Sequence, residues 1–325
     1  MLKSLLCIGL ITLAHQVLAS EIDQVRVSGF PNAKVLPVYI GLSQGIFKDN
    51  GLDVSLSLTE SSSQQRQDLA SSKIDIVHSA LDNALAMIEV AKQDVVIVSG
   101  GDSGMNEFYV QPEIRSFSDL RGKTIIVDAV DTAYALQAKK ILLGFGLKEG
   151  VDYKIKPAGA IVYRYKALVE DHNNAGAILN LPFNVQAQEL GLKSLGRLVD
   201  LLGPYQAVGT FVKRDWALKN SDALKRYLKA YIQSLRWIKD PRHQSECEQM
   251  LKNKLNLSDY AAKKTYELLN ESGFGFNDDA QLDVQGFKNM LQLRQEIQSN
   301  EEKVIKPMEA YLDLSYYNKA LQEVH

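Results

Sequence analysis

Two carboxylates and a hydroxyl stand together at Asp128, Asp131 and Thr132, between an apolar β-branched run, Thr124–Val127, and a helix-patterned run over 134–143. A strand that hands straight to a helix brings its last side chains and the helix's first N–H groups to one edge of a sheet. In open α/β sheets that edge, at the carboxyl ends of parallel strands, is where ligands bind. The competing reading is that Asp131 or Thr132 caps the helix. A cap accounts for one of these groups easily and for both acids less well.

The same rule marks the other joins. His78, Ser79, Asp82 and Asn83 follow one strand-like run, and Gly100, Gly101, Asp102, Ser103 and Gly104 follow the next. Phe30 to Lys34 sit at the first join, and Ala158-Gly159 lead to Tyr163 and Arg164. Asn180, Phe183 and Asn184 close the series, with Tyr39 in the first turn of its helix and Tyr134 opening another. Each has a plain structural alternative. Ser79 with Asp82 forms an [ST]-x-x-[DE] box that caps a helix. His78 suits a hydrogen-bonded core position equally well, Arg164 can pair with nearby Glu170 or Asp171, and Phe183 suits the core. The glycines let backbone approach closely, but without a lysine they are a weak phosphate signal.

The sign of these groups bears on what they bind. Asp82, Asp102, Asp128 and Asp131 face only Arg164 and Lys34 as bases. A nitrate or sulfonate pocket concentrates cations and N–H donors, and unpaired carboxylates in a dry cleft repel an anion. Carboxylates suit a solute with N–H donors or positive charge, and Tyr39, Tyr134 and Phe183 offer faces for a flat ring. The expected ligand is therefore an amine or a nitrogen heterocycle rather than a simple anion.

Around these joins the chain alternates strand-like and helix-like runs. Strands are expected at 25–27, Leu52–Leu58, 74–77, 95–98, 108–110, Thr124–Val127, 153–156, 175–179, 195–198 and 207–212, with helices over 36–49, 64–71, 82–91, 132–145, Ile161–Glu170 and 183–190. Beyond Trp216 nearly everything reads as helix. This order predicts parallel-rich sheets covered by helices. With 325 residues, two lobes are the natural division. The first lobe is expected over 20–110 and 208–325 and the second over 111–207, with the crossing strands at 108–111 and 205–212 as hinge.

The N-terminus reads as an export leader. Lys3 precedes an apolar core of roughly ten residues, and Val17-Leu18-Ala19 offers a cleavage site after Ala19. That core is well short of the ~20 residues a membrane span needs. Cys7 leaves with the leader, so Cys247 alone remains, and neither an intramolecular disulfide nor a cysteine metal cluster can form. Loss of Lys3 takes the formal net charge from −2 to −3, or 36 basic against 39 acidic side chains. A mildly acidic, cysteine-poor exported chain suits the bacterial periplasm and argues against nucleic-acid binding. No P-loop, dinucleotide fingerprint, nucleophile elbow or HExxH motif appears, so neither catalytic residues, metal nor cofactor are assigned.

Several stretches carry a family resemblance. Residues 36–54, LPVYIGLSQGIFKDNGLDV, and 68–83, DLASSKIDIVHSALDN, resemble the opening of periplasmic solute-binding proteins of ABC transporters. The branch is the one named for nitrate, sulfonate, taurine and thiamine-pyrimidine-precursor uptake, and the resemblance makes a pyrimidine-like solute the expected nitrogen heterocycle, with sulfonate, taurine or nitrate as the alternative. Residues 119–127 resemble its passage into the second lobe, and 236–241 a helix end in its C-terminal part. The resemblance implies a two-lobed type II periplasmic-binding-protein fold that closes on a small solute by hinge motion. It also implies a monomer that delivers its cargo to a membrane permease and its ATPase. Fungal relatives resemble a pyrimidine synthase that consumes its own histidine and carries a cysteine-rich iron motif, which this chain lacks. A sensory role, signalling to a membrane receptor, is the other alternative.

Overall fold

The computed structural model describes residues 22–297 and 306–324, so the expected leader and its cleavage site lie outside the described residues. The first lobe begins with strands β1 (Asp23–Gly29), β2 (Leu52–Leu58), β3 (Ile76–Ala80) and β4 (Val95–Ser99). Among them lie helices α1 (Leu36–Ser43), α2 (Ile46–Asp49), α3 (Ser62–Ala70) and α4 (Leu81–Glu89). The chain crosses to a second sheet of β5 (Glu107–Val110), β6 (Thr124–Val127), β7 (Lys154–Pro157), β8 (Asn174–Leu179) and β9 (Lys193–Arg197). Helices α5 (Ala133–Gly144), α6 (Ile161–Glu170), α7 (Phe183–Glu189) and α8 (Leu198–Leu202) accompany it. It then returns through β10 (Val208–Lys213) to α9 (Arg214–Lys219), α10 (Ser221–Lys239), α11 (Gln244–Leu255), α12 (Asp259–Leu269), α13 (Val284–Ile297) and α14 (Ser315–Gln322).

The strand orders are β2-β1-β3-β10-β4 and β7-β6-β8-β5-β9. β1 runs parallel to β2 and β3, and β6 parallel to β7 and β8. In each sheet the antiparallel member is the strand that follows a crossing, β10 between β3 and β4 and β5 between β8 and β9. The expected parallel-rich, helix-covered sheets are therefore present. Their parallel strands open toward a shared cleft.

Two expectations change. The single helix expected over 36–49 is two, because Gly45 adopts a left-handed φ of 73° that breaks it. The segment 108–110, expected in the first lobe and as part of the hinge, is β5 and pairs along its length within the second sheet. The crossing segments are instead the stretches just outside the sheets, 100–106 and 198–207. They are bonded to each other: Asp102 N donates to Val208 O at 3.2 Å, and Ala207 N to Asp102 O at 3.1 Å.

The C-terminal helices complete the first lobe. Tyr227, Tyr231 and Ile238 of α10 share one core cluster with Val25, Leu36 and Leu52, as their helical spacing predicts. Phe287 and Met290 of α13 pack with Leu81 and Phe211. The lobes also touch directly, through Ala33 N to Leu181 O at 3.1 Å and Ala160 N to Glu60 O at 3.1 Å.

Close approach explains the glycines ahead of Asp102. A Cβ on Gly100 would stand 2.3 Å from the Gln281 carbonyl oxygen, which is fixed backbone. Gly100→Ala is expected to destabilise the protein by about 1–3 kcal/mol. Gly144→Ala, at the end of α5 with no atom within 4 Å of its Cβ, should be neutral or stabilising by up to about 1 kcal/mol. Urea unfolding of the two variants checks the contrast.

Candidate functional site

A cavity lies where the strand ends of the two sheets face each other, its empty space of about 610 Å³ running on into open solvent. Its first-lobe wall comes from the joins after β1, β2 and β3. Beyond β1, Asn32 accepts a hydrogen bond from Lys34 N at 3.0 Å and so starts the turn that carries Lys34 inward. The buried Lys34 ammonium donates to Asp102 at 3.1 Å and to the Gly104 carbonyl. Beyond β2, Ser62 opens α3, while His78 and Ser79 lie in β3 itself and Asn83 in the first turn of α4.

These polar groups are already partnered. Asn83 Nδ2 donates to Ser79 Oγ at 2.9 Å and to Ser62 Oγ at 3.4 Å, while its Oδ1 accepts from Arg66 at 3.3 Å. His78 Nε2 lies 2.7 Å from the Tyr227 hydroxyl and Nδ1 lies 3.4 Å from Thr210 Oγ1. Its ring stacks on Tyr231 with centroids 4.5 Å apart. Burial lowers its pKa from 6.5 to about 3, so the imidazole is neutral. His78 is a hydrogen-bonded core residue, as one of its readings has it, and it also lines the cavity.

The second-lobe wall rises from the join after β6. The Asp128 carboxylate accepts from Thr132 Oγ1 and, at 3.3 Å across the cleft, from Ser62 Oγ. Thr132 occupies the cap position of α5, but its hydroxyl goes to Asp128 and to the Ala129 carbonyl rather than to the helix. Neither it nor Asp131 makes the cap bond. Arg164, only 1% exposed, places Nη1 3.5 Å from Asp128 Oδ1 and its guanidinium carbon 3.9 Å from the Tyr134 ring centroid. Its partner is Asp128, not Glu170 or Asp171. Asn180, just past β8, donates from Nδ2 to the Tyr134 hydroxyl at 2.8 Å.

The other candidates lie elsewhere. Asp82 forms no capping box: Ala80 holds the cap position, and the buried carboxylate accepts from Arg294 at 3.1 Å and from the Tyr205 hydroxyl at 2.8 Å. Burial raises its pKa, opposed by Arg294 and Tyr205. Asp102 is taken by Lys34 and by Gly104 N. Ser103 donates to Asn277 in a separate groove by the crossing segment, and the exposed Asp131 lines another beside Arg66 and Val90. Tyr39 sits under the Lys254 ammonium, 5.3 Å from its ring centroid. Phe183 packs on Tyr165 in the second lobe's core, and Asn184 donates to Glu107 at 3.0 Å.

The acid surplus expected from the sequence is therefore absent from the cavity. Asp82 is neutralised by Arg294 away from it, Asp102 is held by Lys34 of the cavity wall, Asp131 is on the surface, and Asp128 has its own guanidinium. The expected ring faces change too. Tyr134 spends a face on Arg164, and the aromatic side chain that lines the first-lobe wall is Phe30. Ser62 was missed, although its position after β2 obeys the strand-end rule that located the others. Among the described residues no group of three or more His, Cys, Asp or Glu could hold a metal ion, and no helix is long and apolar enough to cross a membrane.

The fold and this cleft agree with what the chain matches. The family model described as NMT1/THI5 like matches residues 32–244, and the chain belongs to that family. Among solved structures it is similar to a protein of Bordetella bronchiseptica RB50, with a TM-score of 0.79 and 18% identity over 93% of this chain and 98% of that one. It is similar to the periplasmic nitrate-binding protein NrtA of Synechocystis PCC 6803, at 0.77 and 13% over 94% and 90%. It also resembles the periplasmic aliphatic sulphonate-binding protein SsuA of Escherichia coli, at 0.71 and 14% over 91% and 99%. These likenesses establish the type II periplasmic-binding-protein fold. No curated protein sequence matches.

The buried imidazole has a consequence for stability. His78 stays neutral in the native protein down to about pH 3, whereas in the unfolded chain it takes up a proton below about pH 6.5. Stability is therefore lost progressively as pH falls from 6.5 toward 3, at up to about 1.4 kcal/mol per pH unit. Urea unfolding at pH 7 and pH 5 should show a decrease about 2 kcal/mol larger for the wild type than for His78→Gln.

Proposed function

We propose that this protein is the periplasmic solute-binding component of an ABC importer, closing its lobes on a small organic solute and presenting it to a membrane permease. The observation that carries the reading is the cavity between the facing strand ends of the two sheets, holding a buried Arg164–Asp128 pair. Family membership and the likeness to a nitrate-binding and an aliphatic sulphonate-binding periplasmic protein support it. The export leader expected over residues 1–19 supports a periplasmic site of action.

Charge balance supports a nitrogen-bearing solute over a simple anion. Lys34 is matched by Asp102 and Arg164 by Asp128. A bare nitrate or sulfonate reaching the guanidinium would meet the Asp128 carboxylate beside it, and like charges in a water-poor cleft are costly. A neutral or zwitterionic solute with both a hydrogen-bond acceptor and an N–H donor uses both members of the pair. An amino-substituted heterocycle meets this description.

Native mass spectrometry of the purified mature protein, followed by a thermal-shift screen, tests the reading. A solute at a thousand times its dissociation constant should stabilise the native state by about 4 kcal/mol and raise the melting temperature by several degrees. Amino-heterocycles are expected to do so and taurine and nitrate are not. A melting point unmoved by every small metabolite would refute solute binding.

A further inference from the structure

Two ion pairs join the lobes among the described residues, and neither lines the cavity. Arg197, the last residue of β9, donates from Nη1 and Nη2 to the two carboxylate oxygens of Glu271, the second at 3.1 Å. Its guanidinium carbon also lies 4.2 Å from the Phe274 ring centroid. Lys140 of α5 donates to Glu296 of α13. Both pairs have the same polarity. The base comes from the second lobe, and the acid from C-terminal helices that pack on the first, α12 through Leu269 beside Val25 and α13 through Met290 beside Phe211.

Both pairs also stand beside the crossing stretch 198–207. Arg197 immediately precedes it, and Lys140 and Glu296 share a surface groove with its Leu202 and Tyr205. The segment that begins at Glu271 runs on to both crossings, where Asn277 N donates to Gly101 O at 2.9 Å and Asp283 N to Gln206 Oε1 at 2.6 Å. The four side chains are 34–40% exposed, so salt in the surrounding water screens them as it cannot screen the buried Arg164–Asp128 pair. Parting the lobes strands no charge. Glu271 foremost, then Glu107 and Asp200 of its own lobe, hold the Arg197 pKa above its ordinary value, and the latter two stay with it.

We infer that Arg197–Glu271 and Lys140–Glu296 form an electrostatic latch that draws the lobes together before any solute arrives, so that ionic strength sets how far the empty cleft opens. The inference rests on the lobe closure in the reading above and not on the identity of a solute. An interaction made in one arrangement stabilises that arrangement, and here the lobes are in contact, with Ala33 N donating to Leu181 O at 3.1 Å. Weakening the latch therefore shifts the population toward separated lobes. Leu136 of α5 shares an apolar cluster with Leu293 and Tyr205 on the same flank. Salt does not screen that contact, so a loss of closure on adding salt reports the ion pairs.

Pulsed electron paramagnetic resonance on the full mature chain, without solute, tests this. Spin labels go on Val90→Cys in the first lobe and Val151→Cys in the second, both exposed, while Cys247 is buried. Raising the salt from about 20 mM to about 1 M should lower the ratio of joined to separated lobes by roughly tenfold. At low salt, Glu271→Gln and Glu296→Gln should each lower it about two- to fivefold, and the two together should abolish the salt response. Lys140→Glu should open the lobes and Lys140→Glu/Glu296→Lys should restore them. Distances unmoved by salt and by the variants, even where the melting temperature falls, overturn the latch, as does a full salt response in the doubly neutralised protein. The wild-type salt series stands if a variant fails to fold. A salt-dependent separation in a protein that binds no metabolite removes the solute reading alone, and a bound solute with salt-independent lobes removes the latch alone.

Discussion

Arg164 has left water, and the cleft is arranged around that fact. A guanidinium at 1% exposure is costly unless a carboxylate and hydrogen-bond acceptors replace its hydration. Asp128 supplies the carboxylate from the end of β6, and Tyr134 supplies a ring face from α5. The first lobe contributes Ser62 to the same carboxylate. One buried ion pair thus ties two helices and a strand end of one lobe to a helix start of the other. It stays incompletely satisfied, which is what a binding site requires and a structural core avoids.

The two crossings set where those groups meet. Each sheet takes in the strand that follows a crossing as its antiparallel member, so neither sheet is complete until the chain has passed between the lobes. The crossing segments bond to each other through Asp102, Ala207 and Val208, and Gly100 lies against the backbone of Gln281. Lys34 is anchored to the same crossing through Asp102 and Gly104, linking one cavity wall to the segment that joins the two sheets.

Much of this was legible in the chain. Alternating apolar runs located the strands, and a break between strand and helix marked Asp128, Thr132, Tyr134, Arg164, Asn180, His78 and Asn83 as cleft residues, which all line the cavity. The same reasoning placed Asp82, Asp102, Asp131 and Ser103 there, and they are not. A residue one position along a loop turns to another face, and Asp82, a single residue into α4, points to Arg294 from a helix more than two hundred positions away. Strand 108–110 was recognised as a strand, but its sheet was not, because the periodicity of a short apolar run says nothing about its neighbours.

By itself the sequence determined the strands and helices, the two-lobed class and the edge of each sheet on which polar groups would gather, since these follow from local periodicity and from how strands hand over to helices. The tertiary structure alone decided which acids keep their charge exposed to a solute. Charge pairing is long-range: Asp102 finds Lys34, Asp82 finds Arg294 and Asp128 finds Arg164 across unrelated stretches of chain. The balance of a cleft is therefore a property of folded neighbours, and a count of acidic side chains along the sequence cannot supply it.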